Sequence, residues 1–271
     1  RSIPIIKYLV EQNYNVIIAA DNEPLALLRQ EFPELDWVKL LGCKIVYSSG
    51  SFMAGAILKT LPSFLRNNKK EHKLLKKIIE EKNIDAVISD NRYGLWNNNI
   101  PTVLITHQLK VISFSGFHWA DPIIHRYINK AMNKFSFCWV PDVGGPLNLS
   151  GKLSHFNPFP AKARYIGPIS RFKHFLEDNE IVKNEPYKLM GIASGPEPQR
   201  TIFENILTRQ FLKDGGKSII LRGLPANKGD EYVKDNITYV NHLPTDLMAH
   251  NILKSEIVFC RAGYSTIMDL A

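Results

Sequence analysis

Short, unbroken apolar runs separated by segments of helical periodicity constrain this chain more than any other feature. A helical pattern over 3–12 (Ile3, Ile5, Ile6, Leu9, Val10) leads to the run Val16-Ile17-Ile18-Ala19-Ala20, and a second helix over 23–31 stops at Phe32-Pro33. A short strand is expected near 44–47. A long helical stretch over 54–82 then meets Ile84-Asp85-Ala86-Val87-Ile88-Ser89, followed by strand 102–106, helix 121–134, strand 137–140 and strand 164–166. Strands that are apolar throughout, rather than at alternate positions, are buried on both faces. That is the mark of a parallel sheet covered by helices.

Residues 171–186 interrupt the rhythm. They carry His174, Glu177, Asp178 and Lys183 and end at Pro186. The alternation then restarts with strand 189–193, helix 199–212, strands 218–221 and 237–240, helix 244–253 and strand 256–260. The expected organisation is an α/β protein of two lobes: the first over 1–172, a linker over 173–186, and the second over 187–271. Ligands of such sheets bind beyond the carboxyl ends of the strands, often between lobes, so the residues after each strand are the candidates. Arg1 opens directly into a helical pattern and Met268-Asp269-Leu270-Ala271 stops inside another. Both ends therefore read as cut.

An apolar content of 45% with 10% aromatics excludes a disordered chain. No apolar run approaches the roughly 20 residues that span a bilayer, and no signal peptide heads the chain. Cys43, Cys138 and Cys260 lie far apart in apolar runs, a spacing that fits neither a disulfide framework nor a zinc site. They read as buried thiols of a cytoplasmic protein. Between Leu61 and Lys82, seven basic residues (Arg66, Lys69, Lys70, Lys73, Lys76, Lys77, Lys82) face three acidic ones, which is half of the net charge of +8. With the apolar segment that starts at Phe52, residues 52–82 form either a peripheral contact with an anionic membrane or an ordinary surface helix with a basic face. The basic run has no interleaved aromatics and no nucleic-acid-binding signature accompanies it, so nucleic acid is not an expected partner.

Four strand ends carry candidate chemistry. Ser89-Asp90-Asn91-Arg92-Tyr93-Gly94 is a polar cluster in which Asp90 is a candidate base, unless Arg92 pairs with it. Thr106-His107-Gln108 places an imidazole, which titrates near physiological pH, where it can take a proton from a sugar hydroxyl or serve structurally. In Ala193-Ser194-Gly195-Pro196-Glu197-Pro198-Gln199-Arg200, Gly195 permits close backbone approach. Arg200 there can meet a phosphate beside Ser194 and Gln199, the alternative being a plain Pro-rich turn. Finally, strand 256–260 delivers Arg261-Ala262-Gly263 to a helix that begins with Tyr264, Ser265 and Thr266. Gly263 leaves room for a diphosphate, the hydroxyls add to the free amides of the helix start, and Asp269 lies one turn further along the same face. By pattern alone, this is a helix cap as readily as an anion cradle.

The run Cys260 to Ala271 resembles the donor-site motif of the GT-B glycosyltransferases of the family 28-like group, which includes the lipid-linked N-acetylglucosaminyltransferase of peptidoglycan synthesis. That motif is Ser/Cys-Arg-x-Gly-x-x-Thr with an acidic residue three positions beyond the Thr. The likeness extends over most of the chain at low identity. Ile166-Gly167-Pro168-Ile169-Ser170-Arg171 is similar to the family's Gly-Asn-Pro-x-Arg turn, and Thr106-His107-Gln108 sits where the family has His-Glu-Gln. Ser194 to Gln199 takes the place of its second glycine loop, and Val240-Asn241-His242-Leu243 that of the strand end that reads the base.

The resemblance implies two Rossmann-like lobes and an inverting, metal-independent transfer from a UDP-sugar, with no cofactor. It places His242 and Leu243 beside uracil, Asp269 on the ribose, and Arg261 with Gly263, Tyr264, Ser265 and Thr266 on the diphosphate. Ser194, Gly195, Gln199 and Arg200 complete the donor side. Asn91, Arg92 and Gln108 fall on the side of a lipid or glycan acceptor, oriented by His107 or Asp90, at the inner face of a membrane. No Asp-x-Asp motif occurs. Three departures stand out: Asp269 replaces the usual Glu, Asp90-Asn91-Arg92 replaces a glycine-rich segment, and the loop with the family's catalytic-base His would precede Arg1. The second departure points away from the peptidoglycan lipid as acceptor. A nucleotide-sugar 2-epimerase and a non-catalytic nucleotide-binding protein remain as alternatives.

Overall fold

The computed structural model describes residues 1–42, 53–110, 121–173, 187–225 and 231–270. Two compact units make up the chain: Leu40–Ile169, and Arg1–Lys39 together with Ser170–Ala271. The strand expected near 44–47, Cys43 and most of the 173–186 linker lie outside the described residues, as does Phe52.

In the unit Leu40–Ile169, four parallel strands run in the order β3 (Val87–Asp90), β4 (Thr102–Ile105), β5 (Phe137–Val140), β6 (Ala163–Tyr165). All four residues of β4 are buried, as expected of an inner parallel strand. Leu104, Cys138, Val140 and Ala163 pack with Ile128 and Met132 of α4 (Asp121–Met132) and with Phe135. Burial pushes the Cys138 thiol up to about 12, so it is a structural thiol as the sequence suggests. The 30-residue helix α3 (Met53–Lys82) turns Glu71, Leu75 and Ile78 inward at i, i+4, i+7 spacing. Its lysines at 69, 70, 73, 76, 77 and 82 are exposed with Arg66. Among the described residues, no helix is long and apolar enough to cross a membrane.

In the other unit, the five-stranded sheet runs β11 (Ile257–Cys260), β7 (Leu189–Ile192), β8 (Ser218–Leu221), β10 (Ile237–Val240), β9 (Tyr232–Lys234). The two-residue period of the strands divides their side chains between two cores. Met190, Ile192, Ile219, Leu221 and Val240 face Met248 and Ala249 of α6 (Thr245–Lys254). Leu189, Ala193, Ile220, Ile237 and Tyr239 face Leu207 and Phe211 of α5 (Gln199–Asp214). Gly191 lets α5 approach closely, since a Cβ there would lie 2.9 Å from Leu207 Cδ1.

Residues 1–39 were expected with the first lobe, but their contacts group them with 170–271. They build α1 (Ser2–Glu11), β1 (Ile18–Ala20), α2 (Asn22–Glu31) and β2 (Trp37–Lys39), with β1 and β2 paired in parallel. Ile3, Ile18, Ala20, Leu25 and Phe32 form their own small core. Polar bonds from the end of α2 then reach the loop after β8 and the start of α6: Gln30 Nε2 donates to Pro225 O at 2.8 Å, and Glu31 accepts from Thr245. Two strands were not expected. The β2 residues are largely exposed, and β9 is an exposed antiparallel edge strand, so neither shows an apolar run.

Candidate functional site

Parallel pairing of β11, β7, β8 and β10 brings four loops to one edge of the sheet, in the lateral order Arg261, Ser194, Arg222, Asn241. Arg261 Nη1 donates to Ser194 O at 3.2 Å and lies directly over Gly195. Gly195 has φ +105°, and a Cβ there would lie 2.5 Å from that Nη1. The positive φ is what calls for glycine, since the guanidinium end of Arg261 can shift. Gly223 (φ +67°) is closed more firmly, since a Cβ there would overlap the backbone carbonyl oxygen of Ala193. After β11 the chain turns sharply, with Gly263 N donating to Arg261 O at 2.6 Å. The first bond of α7 (Tyr264–Leu270) follows, from Ile267 N to Gly263 O at 3.0 Å. Ser265 is exposed and Thr266 half-buried.

Arg200 is already committed within the protein, with Nη1 donating to Arg222 O at 3.1 Å. It is 6% exposed, donates to Glu197 Oε1 at 2.5 Å, and pairs with Glu204, because Glu197 and Glu204 lie three residues before and four after it. Glu204 also receives Arg222 Nε at 2.9 Å, and Arg222 Nη1 donates to Asn241 Oδ1 at 3.1 Å. Arg200, expected beside a phosphate, is thus part of an Arg–Glu–Arg chain, half-buried at Arg222, that links the loops after β7, β8 and β10. Arg222-Gly223 follow a buried strand, the same signal that singled out the other loops, and belonged among the candidates on that ground.

Asp269 is held by Arg171: Nε donates to Oδ2 at 2.9 Å and the Arg171 amide to Oδ1 at 3.1 Å. His242 lies within the electrostatic reach of Glu31 and Arg171. Burial lowers its pKa, Glu31 opposes that shift, and Arg171 adds to it, so the imidazole is neutral at pH 7. Leu243 packs against the core under α6. Among the described residues, His242 Nε2 and Gln199 Oε1 are buried without a hydrogen-bond partner. A cleft of about 420 Å³ in the same unit is lined by residues that include Lys7, Glu31, Arg171 and Thr245. It shares none of the expected donor residues, so the chemistry is better located by the loops than by the cleft.

In the unit Leu40–Ile169, the β3 and β4 ends are brought together. Asn91 N donates to Ile105 O at 2.9 Å, and Thr106 Oγ1 bridges Asn91 Oδ1 and Gln108 N, each at 3.1 Å. Asp90 closes β3 opposite Ile105, two residues before His107. Arg92 does not pair with Asp90. It binds Glu71 Oε1 (2.9 Å) and the carbonyls of Leu40 and Leu41 (3.0 and 2.8 Å), because Gly94 seats the turn against α3. A further buried group escaped the sequence: Asp142, after β5, accepts from the amides of Val143, Leu149 and Ser150 and from the Ser150 hydroxyl. It staples a loop. Among the described residues, no three His, Cys, Asp or Glu side chains cluster as a metal site would require.

No protein-family profile matches the sequence, and no curated protein matches it. Solved structures do. The glycosyltransferase SnogD from Streptomyces nogalater aligns with a TM-score of 0.58, covering 99% of this chain and 74% of its own, at 11% identity. The glycotransferase of kitacinnamycin aligns at 0.57, covering 99% and 73%, with 14% identity. These are glycosyltransferases of two Rossmann-like lobes. The chain has the GT-B fold. A third GT-B structure, UGT73P12 from Glycyrrhiza uralensis complexed with glycyrrhetinic acid 3-O-monoglucuronide, aligns at 0.54, covering 98% and 71%, with 10% identity. At these identities the GT-B likeness is one of fold. It agrees with the two separate α/β units and their parallel sheets.

Proposed function

We propose that the chain is a glycosyltransferase that moves a hexosyl group from a UDP-sugar to a hydroxyl of a lipid or glycan acceptor. The observation that supports this best is the Arg261 guanidinium lying over the Gly195 turn, at the carboxyl edge of the second sheet of a GT-B fold. A cation beside side-chain-free backbone suits a diphosphate. The buried, unpartnered atoms of Gln199 and His242 are polar groups that a bound nucleotide would satisfy.

Arg261, Ser194, Gly263, Tyr264, Ser265 and Thr266 hold the diphosphate, and His242 and Leu243 flank uracil. Asp269, fixed by Arg171, keeps lone pairs for the ribose diol. The acceptor oxygen attacks the anomeric carbon as its bond to the diphosphate breaks, and inversion results. Arg261 and the loop amides stabilise the charge that develops on the departing UDP. His107 or Asp90 takes the acceptor proton, with Asn91, Arg92 and Gln108 contacting the acceptor. The exposed basic face of α3 suits an anionic bilayer, where a lipid acceptor would reside.

Thermal-shift measurements with UDP, GDP, dTDP and their sugars test the donor. UDP at a hundredfold its Kd stabilises by about 2.7 kcal/mol. Stabilisation by GDP or dTDP alone would overturn the uracil assignment, and binding retained in Thr266→Ala/Asp269→Ala would overturn the site. Acceptor-dependent release of UDP separates an enzyme from a nucleotide-binding scaffold.

A further inference from the structure

Helix α6 begins without a cap of its own. Its N-cap residue, Pro244, has no side-chain acceptor, and its first amides have no partner within the helix. The acceptor comes instead from the end of α2. Glu31 Oε1 takes the Thr245 amide at 3.1 Å and the Thr245 hydroxyl at 2.6 Å, across 214 positions of sequence. The carboxylate sits at the positive end of the helix, where a negative charge is favoured. Directly before this cap runs Asn241-His242-Leu243-Pro244. Its first residue is held by Arg222, and its second lies within the field of Glu31 and Arg171. One side chain thus fixes the far end of the turn and also acts electrostatically on its imidazole.

We propose that Glu31 is a positioning residue for nucleotide recognition, setting the Asn241–Pro244 turn against the base through its capping of α6. The proposal rests on the donor site described above. Glu31 itself touches no nucleotide. Its effect passes through Thr245 and the turn, so it alters which base is accepted and leaves the diphosphate contacts of Arg261 and Ser194 as they are. Gln at position 31 keeps an acceptor for Thr245, whereas Ala removes it.

The test is the affinity of the full chain for UDP and ADP by titration calorimetry. The unsubstituted protein prefers UDP. Glu31→Ala lowers the UDP/ADP affinity ratio at least tenfold with ADP affinity within threefold of the parent, and Glu31→Gln restores most of the ratio. Thr245→Val, which removes only the hydroxyl partner, lowers the ratio about threefold and serves if Glu31→Ala does not fold. Equal losses of UDP and ADP in Glu31→Ala, or an unchanged ratio in Thr245→Val where Glu31→Ala does not fold, overturn the positioning role alone. An unsubstituted protein with no UDP preference overturns the functional reading, and this inference with it.

Discussion

Arg171 and Asp269 stand 98 positions apart and meet through two hydrogen bonds, the guanidinium on one carboxylate oxygen and the Arg171 amide on the other. Their side chains are only 19% and 10% exposed, so removing either partner strands a charge away from water. Asp269→Ala and Arg171→Ala are each expected to lower stability by about 3 kcal/mol, read from urea unfolding. The double variant should lose less than the sum, because the second removal strands nothing. Additive losses would mean that the pair is not coupled.

Gly195→Ala challenges the Arg261 contact directly. The new methyl would press on Nη1 in a backbone conformation that L-residues rarely adopt. Nucleotide affinity is expected to fall at least tenfold, with a stability loss of about 1–3 kcal/mol. Unchanged UDP affinity in a folded variant would remove Arg261 and Gly195 from the site.

Much of the architecture was legible because buried parallel strands are written as unbroken apolar runs. β4, β8 and β10 are buried at every residue and lie within or at their expected bounds. β9 was illegible for the converse reason: all three of its residues are exposed and an edge strand needs no apolar pattern. The loops of the candidate site were legible as glycines and polar residues after strands, but their partners were not. Arg200 looked available because its two carboxylates reach it only once α5 has formed. Arg92 pairs with Glu71, which is 21 residues away. Side-chain pairing of that kind depends on tertiary placement, to which periodicity is blind.

Asp142 gives a pH dependence. Burial alone would raise its pKa, but the Ser150 hydroxyl and the amides of Leu149, Ser150 and Val143 hold it below the usual carboxylate range. A depressed native pKa contributes stability that is complete above the unfolded-state value, about 3.9, and is lost as the pH falls through the native value. Asp142→Asn should cost about 2 kcal/mol at pH 7, since an amide cannot accept all four bonds. The gap between variant and parent should narrow below about pH 4. A constant gap from pH 7 to pH 3 would contradict this account.

Cys138 should resist alkylation in the folded protein. With its thiol pushed up to about 12, only about one molecule in ten thousand carries a thiolate at pH 8. Iodoacetamide labelling followed by peptide mass spectrometry is expected to mark half-buried Cys260 before Cys138, which reacts only after unfolding. Equal native rates would contradict the burial of β5.

The unit that carries the candidate donor loops is discontinuous along the chain, and this sets the order of its assembly during synthesis. Residues 40–169 can close their own sheet while later residues are still being translated. The 1–39 segment is synthesised before residues 40–169 but gains its partners after them, since Glu31 and Gln30 await Thr245 and Pro225. Contacts of such long sequence separation form late. Until then the apolar stripe of α1 and α2 has only its own small core to cover it. Stalled or truncated products ending before residue 225 should therefore be the forms most prone to proteolysis and chaperone capture.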